Sequence, residues 1–554
     1  MSLVLPVQGS NPPVTLEADV YYPDGEGPFP VLLMRQPYGR AIASTVVYAH
    51  PTWYASHGYI VVIQDVRGRG TSGGEFSLFH HEVEDGYATV LWAANLPQSS
   101  GAVGMYGFSY QGMTQLYAAS RRPEPLKTIA PAMVGYAPYA DWAYENGALL
   151  LHAGLGWALQ LAAETCRREG KLEAYQVIYQ AAHQLPLDEA IPTRPKILQE
   201  LAADSFWHDW LVHPQQDDYW QALQPDLSEV DLPMLHIGGW CDPYLRGDLR
   251  LYHQMKTQSS ALQHLWVGPW GHLPWSRRVG AVDFGPEAES PIDRLQIRWF
   301  NHILKGEDNG LGQAAPVRLF EMGRNRWQGF DQWPAGQEKG LYLTSSGLAS
   351  MRQDDGHLVD SLSDATPTGQ DVIVHDPWRP VPSLGGHSSI PAGSFDRGSI
   401  DSRSDVLTYT TAPFIQPLRV AGAIKLELYG QADAPSFDLS AVVSEVYTDG
   451  RVMNLTQGYG RAETLAALFE PQQEPQRLTL CLTLQATCFA MPVGHALRLS
   501  LAAAAFPAYP VNSGTGQPVG EVALIDYRVI TLTVWHGPDY PSQLRLPMTP
   551  AGRF

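Results

Sequence analysis

Short hydrophobic segments alternate with longer amphipathic segments in the first part of the chain. Three segments are almost entirely apolar, as expected of strands buried on both faces of a parallel sheet: residues 31–34, 59–63 and 103–106. Residues 83–95 and 111–120 lie between or after them, with helix-forming composition and no proline. Strands that alternate with helices predict a parallel α/β sheet.

The pattern then changes along the chain. Residues 136–225 are rich in Ala, Leu, Gln, Glu and aromatic residues without strand-like runs, which predicts a helical insertion of the kind that commonly serves as a lid. Residues 226–315 return to the sheet pattern, so we assign them, with residues 1–135, to one α/β core. Residues 316–554 consist of short alternating segments separated by turn residues, which predicts an all-β sandwich of the jelly-roll type.

The composition and net charge of the chain argue against several classes of protein. A chain of 554 residues with 44% hydrophobic and 17% charged residues predicts several well-packed domains. The net charge of −19 argues against nucleic-acid binding, and no run of 18 apolar residues predicts a membrane span. The four cysteines form no C-x-x-C pair, so we expect neither a disulfide framework nor a zinc site. No secretory leader is visible either, so we expect a cytoplasmic protein. We also expect that it needs no metal or organic cofactor.

The most informative motif lies directly after the third apolar segment. Residues 107–112 read G-F-S-Y-Q-G, a G-x-S-x-x-G sequence that we interpret as the nucleophile elbow of the α/β-hydrolase fold. The turn is strained at the serine, so the nearby residues on either side, Gly107 and Gly112, must lack bulk where strand and helix cross. We therefore predict Ser109 as a nucleophile held above the end of the sheet.

A serine nucleophile needs a base and an acid, in the chain order Ser, Asp or Glu, His. Asp242 follows the predicted strand 234–238, and His272 follows the predicted strand 264–267, so both meet the order and the placement. His272 would accept and return the proton, and Asp242 would orient the imidazole. Asp248 is a weaker alternative acid. The alternative histidines either precede the serine or lie in the helical insertion: His80, His81, His152, His183, His208 and His213.

Two loops contain residues relevant to stabilising an oxyanion and to an alternative function, dinucleotide binding. The backbone N–H of Tyr110 follows the nucleophile and is one expected oxyanion donor, and the Tyr38 hydroxyl, on the loop after the first apolar segment, could supply a second. Residues 68–73 match G-x-G-x-x-G, but no helical pattern follows, so we interpret them as a loop at the rim of the site and not as a dinucleotide-binding turn.

Together these motifs resemble one family of serine hydrolases. Residues 107–112 are similar to the elbow shared by cocaine esterase, α-amino-acid ester hydrolases, glutaryl-cephalosporin acylases and X-Pro dipeptidyl-peptidases. The resemblance extends over nearly the whole chain through further segments: residues 37–40, 65–74, 239–242, 268–272, 403–411, 449–456 and 505–516. It implies an α/β-hydrolase core, a helical cap and a C-terminal jelly roll.

The resemblance also implies site residues. It assigns the oxyanion hole to the Tyr38 hydroxyl and the Tyr110 N–H, and it places Trp142 and Trp157 of the cap as walls of the acyl pocket. Tyr244 is expected nearby, and residues 382–387 of the β domain are expected to reach the site. Asp141 and Glu145 are candidates for binding a free substrate amine, although a helical carboxylate is usually only a solvated charge.

We therefore predict a serine esterase or acylase that cleaves an ester or amide of a small substrate through an acyl-enzyme. The alternatives are an X-Pro dipeptidyl-peptidase or α-amino-acid ester hydrolase, acting on a short peptide or amino-acid ester, and, outside enzymes, a carbohydrate-binding jelly-roll protein. No nucleic-acid or membrane partner is expected. Members of the family are often homo-oligomers, but the sequence does not fix the number of subunits.

Overall fold

The computed structural model describes residues 1–5, 13–43, 45–364, 367–466 and 478–549. Within these residues, ten strands form the largest sheet of the N-terminal part. We number them in chain order and leave two-residue ladders unnumbered: β1 (Ser2–Leu5), β2 (Val14–Tyr21), β3 (Phe29–Gln36), β4 (Ile60–Asp65), β5 (Ser99–Phe108), β6 (Leu126–Ala132), β7 (Met234–Cys241), β8 (Gln263–Gly271), β9 (Val317–Glu321) and β10 (Arg326–Phe330).

The sheet has the spatial order β1-β2-β4-β3-β5-β6-β7-β8-β9-β10. The strands from β4 to β9 in this order pair in parallel, whereas β1, β2 and β10 are antiparallel additions at the edges. Parallel pairing brings the carboxyl ends of β5, β7 and β8 to one edge of the sheet. In an open α/β sheet this is the edge at which ligands bind.

Helices cover both faces of the sheet and form the cap. Those packed around the core are α1 (Arg40–Ala43), α2 (Pro51–Ser56), α3 (Glu82–Ala94), α4 (Tyr110–Ser120), α10 (Leu245–Gln258) and α11 (Ile292–Lys305). Between β6 and β7 the cap contains α5 (Leu151–Arg168), α6 (Leu172–His183), α7 (Lys196–Leu201), α8 (Phe206–Val212) and α9 (Asp218–Leu223). A single π-helical turn, Pro138–Ala143, and a ladder between Tyr144–Glu145 and Ala148–Leu149 lead from the core into the cap.

The C-terminal part is a β domain. Its described strands are β11 (Glu338–Thr344), β12 (His357–Val359), β13 (Gly369–His375), β14 (Leu407–Thr410), β15 (Leu418–Gly422), β16 (Lys425–Ala432), β17 (Asp438–Val446), β18 (Val452–Arg461), β19 (Leu478–Thr483), β20 (Thr487–Met491), β21 (Ala496–Ala502), β22 (Ile530–His536) and β23 (Gln543–Pro547). Two short helices accompany them, α12 (Gly398–Asp401) and α13 (Ala462–Ala466).

Most of these strands belong to one extended sheet in the order β13-β22-β16-β23-β11-β12-β14-β21-β17-β18, with β19 on β16, while β15 and β20 form a separate pair. The alternation predicted around β16 holds, because Leu426 and Leu428 are buried while Lys425 is exposed. Strand β21 differs, since Arg498 and Ser500 on its polar face are buried too. The jelly-roll connectivity stays a prediction.

The first sheet continues past residue 315, where the sequence pattern places the end of the α/β core. Strand β9 pairs with β8, and β10 pairs with β9, so residues 317–330 extend the core sheet. Both strands are short and amphipathic, which is why their pattern resembles that of the β domain. The division into four segments otherwise stays a prediction. No helix among the described residues combines the length and the apolar character that crossing a bilayer requires.

The crossing of β5 and α4 depends on glycine. A Cβ on Gly112 would lie 2.3 Å from Val134 Cγ1 and 3.1 Å from the carbonyl oxygen of Ala132, and one on Gly107, whose φ is +140°, would lie 2.5 Å from Gln111 Cβ. Each distance is shorter than a normal contact, so both glycines of the elbow are required sterically, as the sequence motif predicts.

We expect Gly112→Ala to lower the free energy of unfolding by about 1–3 kcal/mol, because the new methyl group overpacks the contact with Val134. Gly312→Ala is the matched control, since a Cβ there meets no atom within 4 Å. Thermal unfolding followed by circular dichroism measures both variants. Equal midpoints for the two would contradict the steric role of Gly112.

Candidate active site

Ser109 joins β5 to α4 in a strained conformation. Its φ of +59° and ψ of −128° are unfavourable for a residue with a side chain. The Ser109 N–H donates to the carbonyl oxygen of Ala132 at 2.9 Å, which fixes the turn to the end of β6. The side chain is only 6% exposed, so the hydroxyl lies in a site largely closed to solvent.

Asp242 and His272 are brought together by the loops after β7 and β8. The Asp242 carboxylate is fully buried, and its Oδ2 lies 2.5 Å from His272 Nδ1. Its Oδ1 accepts a hydrogen bond from the Tyr244 N–H at 2.7 Å. The His272 ring also lies 5.4 Å from the ring of Phe108, the residue before Ser109. A buried carboxylate on Nδ1 leaves Nε2 as the nitrogen that can exchange a proton with a substrate or nucleophile.

Asp248, the alternative acid, has a different environment. Its Oδ1 accepts from the Val134 N–H at 2.9 Å, and its Oδ2 has no hydrogen-bond partner among the described residues. Burial, together with the nearby charge of Asp242, raises the pKa of Asp248 well above its ordinary value. The shift follows from placing two carboxyl groups close together in the interior, because a second buried anion would oppose the first.

Tyr38 is held by a network built from two segments that the sequence analysis singled out. Its N–H donates to Gln36 Oε1 at 2.8 Å, and Gln36 Nε2 donates to Asp65 Oδ1 at 2.8 Å. Asp65 also pairs with Arg40, whose Nη1 lies 2.6 Å from Asp65 Oδ2. A Cβ on Gly70 would lie 2.0 Å from the same carboxylate. The loop after β4 therefore serves to position the Tyr38 loop.

The hydroxyl of Tyr38 lies between the cap and the elbow. Trp157 Nε1 donates to it at 3.2 Å. Burial raises the pKa of Tyr38 to about 12, although hydrogen bonds with Trp157 and Ser109 act in the opposite direction. The phenol is therefore a neutral O–H donor at physiological pH.

Tyr110 contributes through its backbone and its ring. Its N–H is in the first turn of α4, where no intrahelical acceptor exists, so it can serve a ligand. Its hydroxyl donates to Glu82 Oε1 at 2.7 Å, and Glu82 Oε2 lies 2.7 Å from Arg35 Nη1. This buried chain of hydrogen bonds anchors the start of α4 to β3 and α3.

The aromatic residues predicted to form the acyl pocket lie together beside His272. The rings of Trp142 and Trp157 are 5.3 Å apart, those of Trp142 and Tyr244 are 4.5 Å apart, and that of Tyr244 is 5.0 Å from the His272 ring. Trp142 Nε1 is buried without an acceptor among the described residues. These contacts define an apolar wall between the cap and the catalytic loops.

The two candidate amine-binding carboxylates are both engaged by arginine. Asp141 Oδ2 and Oδ1 accept from Arg250 Nε and Nη2 at 2.9 and 3.0 Å. Glu145 Oε2 lies 2.8 Å from Arg246 Nη1 and 2.9 Å from His387 Nε2. Both carboxylates are at most 1% exposed. Residues 382–387 thus reach Glu145 through His387, and the role of either carboxylate in binding an amine stays a prediction.

Gln485 of the β domain is a residue that the sequence analysis missed. It lies just before β20 and is 2% exposed. Its Nε2 donates to the carbonyl oxygens of Trp240 and Asp242, each at 2.9 Å. The β domain therefore holds the main chain at the end of β7, where the loop that carries Asp242 begins; we call this loop the acid loop. A single glutamine outside any motif gives no local signal of such a contact.

No group of three or more His, Cys, Asp or Glu side chains in the described part of the chain is arranged to hold a metal ion. The arrangement around Ser109 consists of a hydroxyl, an imidazole paired with a carboxylate, and hydrogen-bond donors. These are the groups needed for acyl transfer through a serine nucleophile.

Comparison with known proteins agrees with this chemistry. The profile of the X-Pro dipeptidyl-peptidase (S15) family matches residues 11–274, and the profile of the X-Pro dipeptidyl-peptidase C-terminal non-catalytic domain matches residues 309–545. Cocaine esterase of Rhodococcus sp. (strain MB1 Bresler) is 31% identical over 559 residues, which cover 97% of this chain and 96% of that protein. The chain belongs to the S15 family. It is accordingly a serine hydrolase of the esterase and peptidase class.

A more distant relative matches part of the chain in sequence, and solved structures share the fold. The Xaa-Pro dipeptidyl-peptidase of Lactobacillus helveticus (strain DPC 4571) is 20% identical over 75% of this chain and 52% of that protein. An aminopeptidase from a marine sediment archaeon, Thaumarchaeota archaeon, has a crystal structure that superimposes with a TM-score of 0.81 at 24% identity, covering 99% of this chain and 95% of that one. An α-amino acid ester hydrolase superimposes with a TM-score of 0.78 at 21% identity, covering 99% and 96%.

We expect Gln485→Leu to lower kcat of this S15 hydrolase by roughly ten- to a hundredfold, because misplacement of the acid loop disturbs the alignment of His272. KM should change little, since Gln485 contacts the loop and not the predicted acyl wall. Steady-state kinetics on an ester substrate measures both constants. Gln517→Leu, at an exposed glutamine, is the control, and an equal kcat in the two variants would refute the positioning role.

We also expect acid to weaken the contact that joins cap, core and β domain at Glu145. Burial opposes ionisation of Glu145, but Arg246 and His387 outweigh it, and the pKa of the carboxyl is lowered from 4.5 to about 2. The stability that ionised Glu145 contributes is therefore complete above pH 4.5 and is lost as the pH falls through 2.

Glu145→Gln should destabilise the protein by about 2–4 kcal/mol at neutral pH, because Arg246, which is mostly buried, loses its anion. The difference from the unmodified protein should shrink as the pH is lowered from about 5 to about 2. Urea unfolding at several pH values measures it. Glu124→Gln, which removes an exposed charge paired with Lys127, should have almost no effect. A difference for Glu145→Gln that is independent of pH would contradict the assignment.

Proposed function

We propose that this S15 hydrolase uses Ser109 as nucleophile, His272 as general base and acid, and Asp242 as the residue that orients His272. The observation that carries the proposal is the 2.5 Å hydrogen bond between Asp242 Oδ2 and His272 Nδ1, on loops that end at the same sheet edge as the Ser109 elbow. It supports a triad because the imidazole is fixed in the tautomer that leaves Nε2 free to accept a proton.

The reaction proceeds in two halves. His272 Nε2 takes the proton of Ser109 as Oγ attacks the substrate carbonyl carbon, and the tetrahedral intermediate collapses when His272 returns the proton to the leaving alcohol or amine. Water then attacks the acyl-enzyme with His272 again as base, and the carboxylic acid leaves as Ser109 recovers its proton. Asp242 stays ionised and stabilises the imidazolium in both halves.

The oxyanion is stabilised by the Tyr38 hydroxyl and the Tyr110 N–H. Tyr38 is supported for this role by its hydrogen bond with Ser109 and by a pKa of about 12, which keeps its proton available for donation. The N–H of Tyr110 begins α4, so the positive end of the helix dipole adds to its effect. Both donors are held before substrate binds, which is the condition under which such donors are most effective.

We infer that the substrate is a small ester with an apolar or aromatic acyl group, in contact with Trp142, Trp157 and Tyr244. Their ring contacts next to His272 support this pocket. The engagement of Asp141 and Glu145 by arginine favours an esterase over an enzyme that recognises a free amine, such as an X-Pro dipeptidyl-peptidase or an α-amino-acid ester hydrolase. Nothing in the described structure favours a non-enzymatic carbohydrate-binding role.

The experiment is a substrate panel on the purified protein. p-Nitrophenyl esters of small aliphatic and aromatic acids should be hydrolysed faster, by kcat/KM, than Ala-Pro and Gly-Pro anilides. Ser109→Ala should abolish turnover, and a fluorophosphonate probe should label Ser109 in the folded protein. Faster turnover of the anilides would favour the peptidase, and absence of the label would remove the triad assignment.

Tyr38→Phe should lower kcat by about a hundred- to a thousandfold, the usual effect of deleting one oxyanion donor. Because the ring and its packing remain, KM should stay within a few fold. Tyr139→Phe is a matched control, since its hydroxyl donates to a backbone carbonyl in the cap at 2.9 Å. Fluorophosphonate labelling of Ser109 should persist in both variants, and an unchanged kcat for Tyr38→Phe would remove the oxyanion assignment alone.

A further inference from the structure

A second cavity lies behind the aromatic wall of the catalytic site. Its volume is about 220 Å³, and it is enclosed by the loop after β4 and by α5 and α8 of the cap. Its inner walls are Arg69, Phe76, Ala158, Ala162, Cys166 and Phe206. Ser109, Asp242 and His272 do not line it. It is one aromatic layer from the predicted acyl pocket, since the Phe206 ring lies 4.9 Å from that of Trp157.

Arg69 is the charged group of the inner wall. It is 2% exposed, and its guanidinium carbon lies 3.7 Å from the centre of the Phe76 ring. Nη1 donates to the carbonyl oxygen of Leu161 at 3.0 Å and to Thr165 Oγ1 at 3.1 Å. Nε is fully buried without a hydrogen-bond partner among the described residues, Nη2 donates to no group there, and no carboxylate in the described chain forms an ion pair with Arg69.

This arrangement leaves a buried cation without an anion. Burial lowers the pKa of Arg69 to about 10, so the group still carries its charge at neutral pH. Nη2 is also a nitrogen through which Arg250 binds the carboxylate of Asp141 in the same protein. Hydrogen bonds from arginine to a carboxylate are charge-assisted, and a buried charge is stabilised only when it is paired.

Charged residues at the opening of the cavity determine which anions can enter it. Lys171 there is already paired with Glu169, at 2.7 Å between Nζ and Oε2. Asp204 and Asp209 are exposed at the same opening. Two carboxylates at the entrance repel a ligand with several negative charges, whereas they tolerate a ligand whose single carboxylate is directed inward. Phe76, Phe206 and the alanines of α5 offer apolar contact to the body of that ligand.

We propose that this cavity binds a small monocarboxylate with an apolar body, held by Arg69 through Nη2 and enclosed by α5 and α8. The volume is below the roughly 300–1,000 Å³ of pockets that take drug-sized molecules, so the ligand is of the size of a benzoate. An esterase releases an acid of this kind. That link to turnover rests on the proposed function, but the binding itself does not.

The test is calorimetric titration of the full-length protein with benzoate, and with benzamide as the neutral isostere. Benzoate should bind at one site with at least tenfold higher affinity than benzamide. Arg69→Met should weaken benzoate binding at least tenfold, and Ala162→Leu, which fills the cavity without touching the guanidinium, should do the same. Ser109→Ala should leave benzoate affinity unchanged.

Absence of benzoate binding, equal affinity for benzamide, or full affinity in both cavity variants would each overturn the proposal. If Arg69→Met fails to fold, as judged by circular dichroism, Ala162→Leu decides the matter, because Arg69 keeps its contacts with α5. Loss of benzoate binding in Ser109→Ala would place the ligand in the catalytic pocket and refute the second site. Fluorophosphonate labelling of Ser109 is scored separately, so failure of the catalytic assignment is distinguished from failure of this one.

Discussion

The hydrogen bond between Asp242 and His272 is the interaction on which the rest of the site depends. It requires that two loops, separated by thirty residues of chain, end within bonding distance, and the parallel pairing of β7 with β8 provides this. The elbow at the end of β5 lies at the same edge of the sheet. The architecture of the core can therefore be understood as a means of bringing three strand ends to one place, with helices on either face supplying the packing.

Around that bond, each remaining group is fixed by residues from a different part of the chain. Tyr38 is held by Gln36 and, through it, by Asp65, while Trp157 of the cap binds its hydroxyl. Tyr110 is anchored through Glu82. These supports are buried, where hydrogen bonds are strong and unpaired polar groups are costly. The proposed oxyanion donors are consequently held in place by the protein itself, independently of substrate.

The sequence alone predicted the structure where a local pattern of residues is compatible with only one local structure. Apolar runs predicted β3, β4, β5, β7 and β8 to within a few residues, and the elbow motif at residues 107–112 predicted the tight crossing at Gly107 and Gly112 because only glycine fits there. The sequence did not predict features that depend on contacts between residues far apart in the chain. Strands β9 and β10 read as part of the β domain, although they pair with the core. The pairing of buried Asp141 with Arg250, and the contact of Gln485 with the acid loop, join residues over a hundred positions apart, and no periodicity in the sequence indicates them.

The contact of Gln485 with the acid loop bears on how this protein could be divided or recombined. A β domain appended to an enzyme is often treated as a module that can be exchanged or removed without affecting the chemistry. Here one of its side chains donates to the carbonyl oxygens of both Trp240 and Asp242, so the acid loop is completed by the second domain. The α/β core alone therefore lacks a contact made to this loop in the whole chain, and a chimera with another β domain retains that contact only if it supplies an equivalent amide.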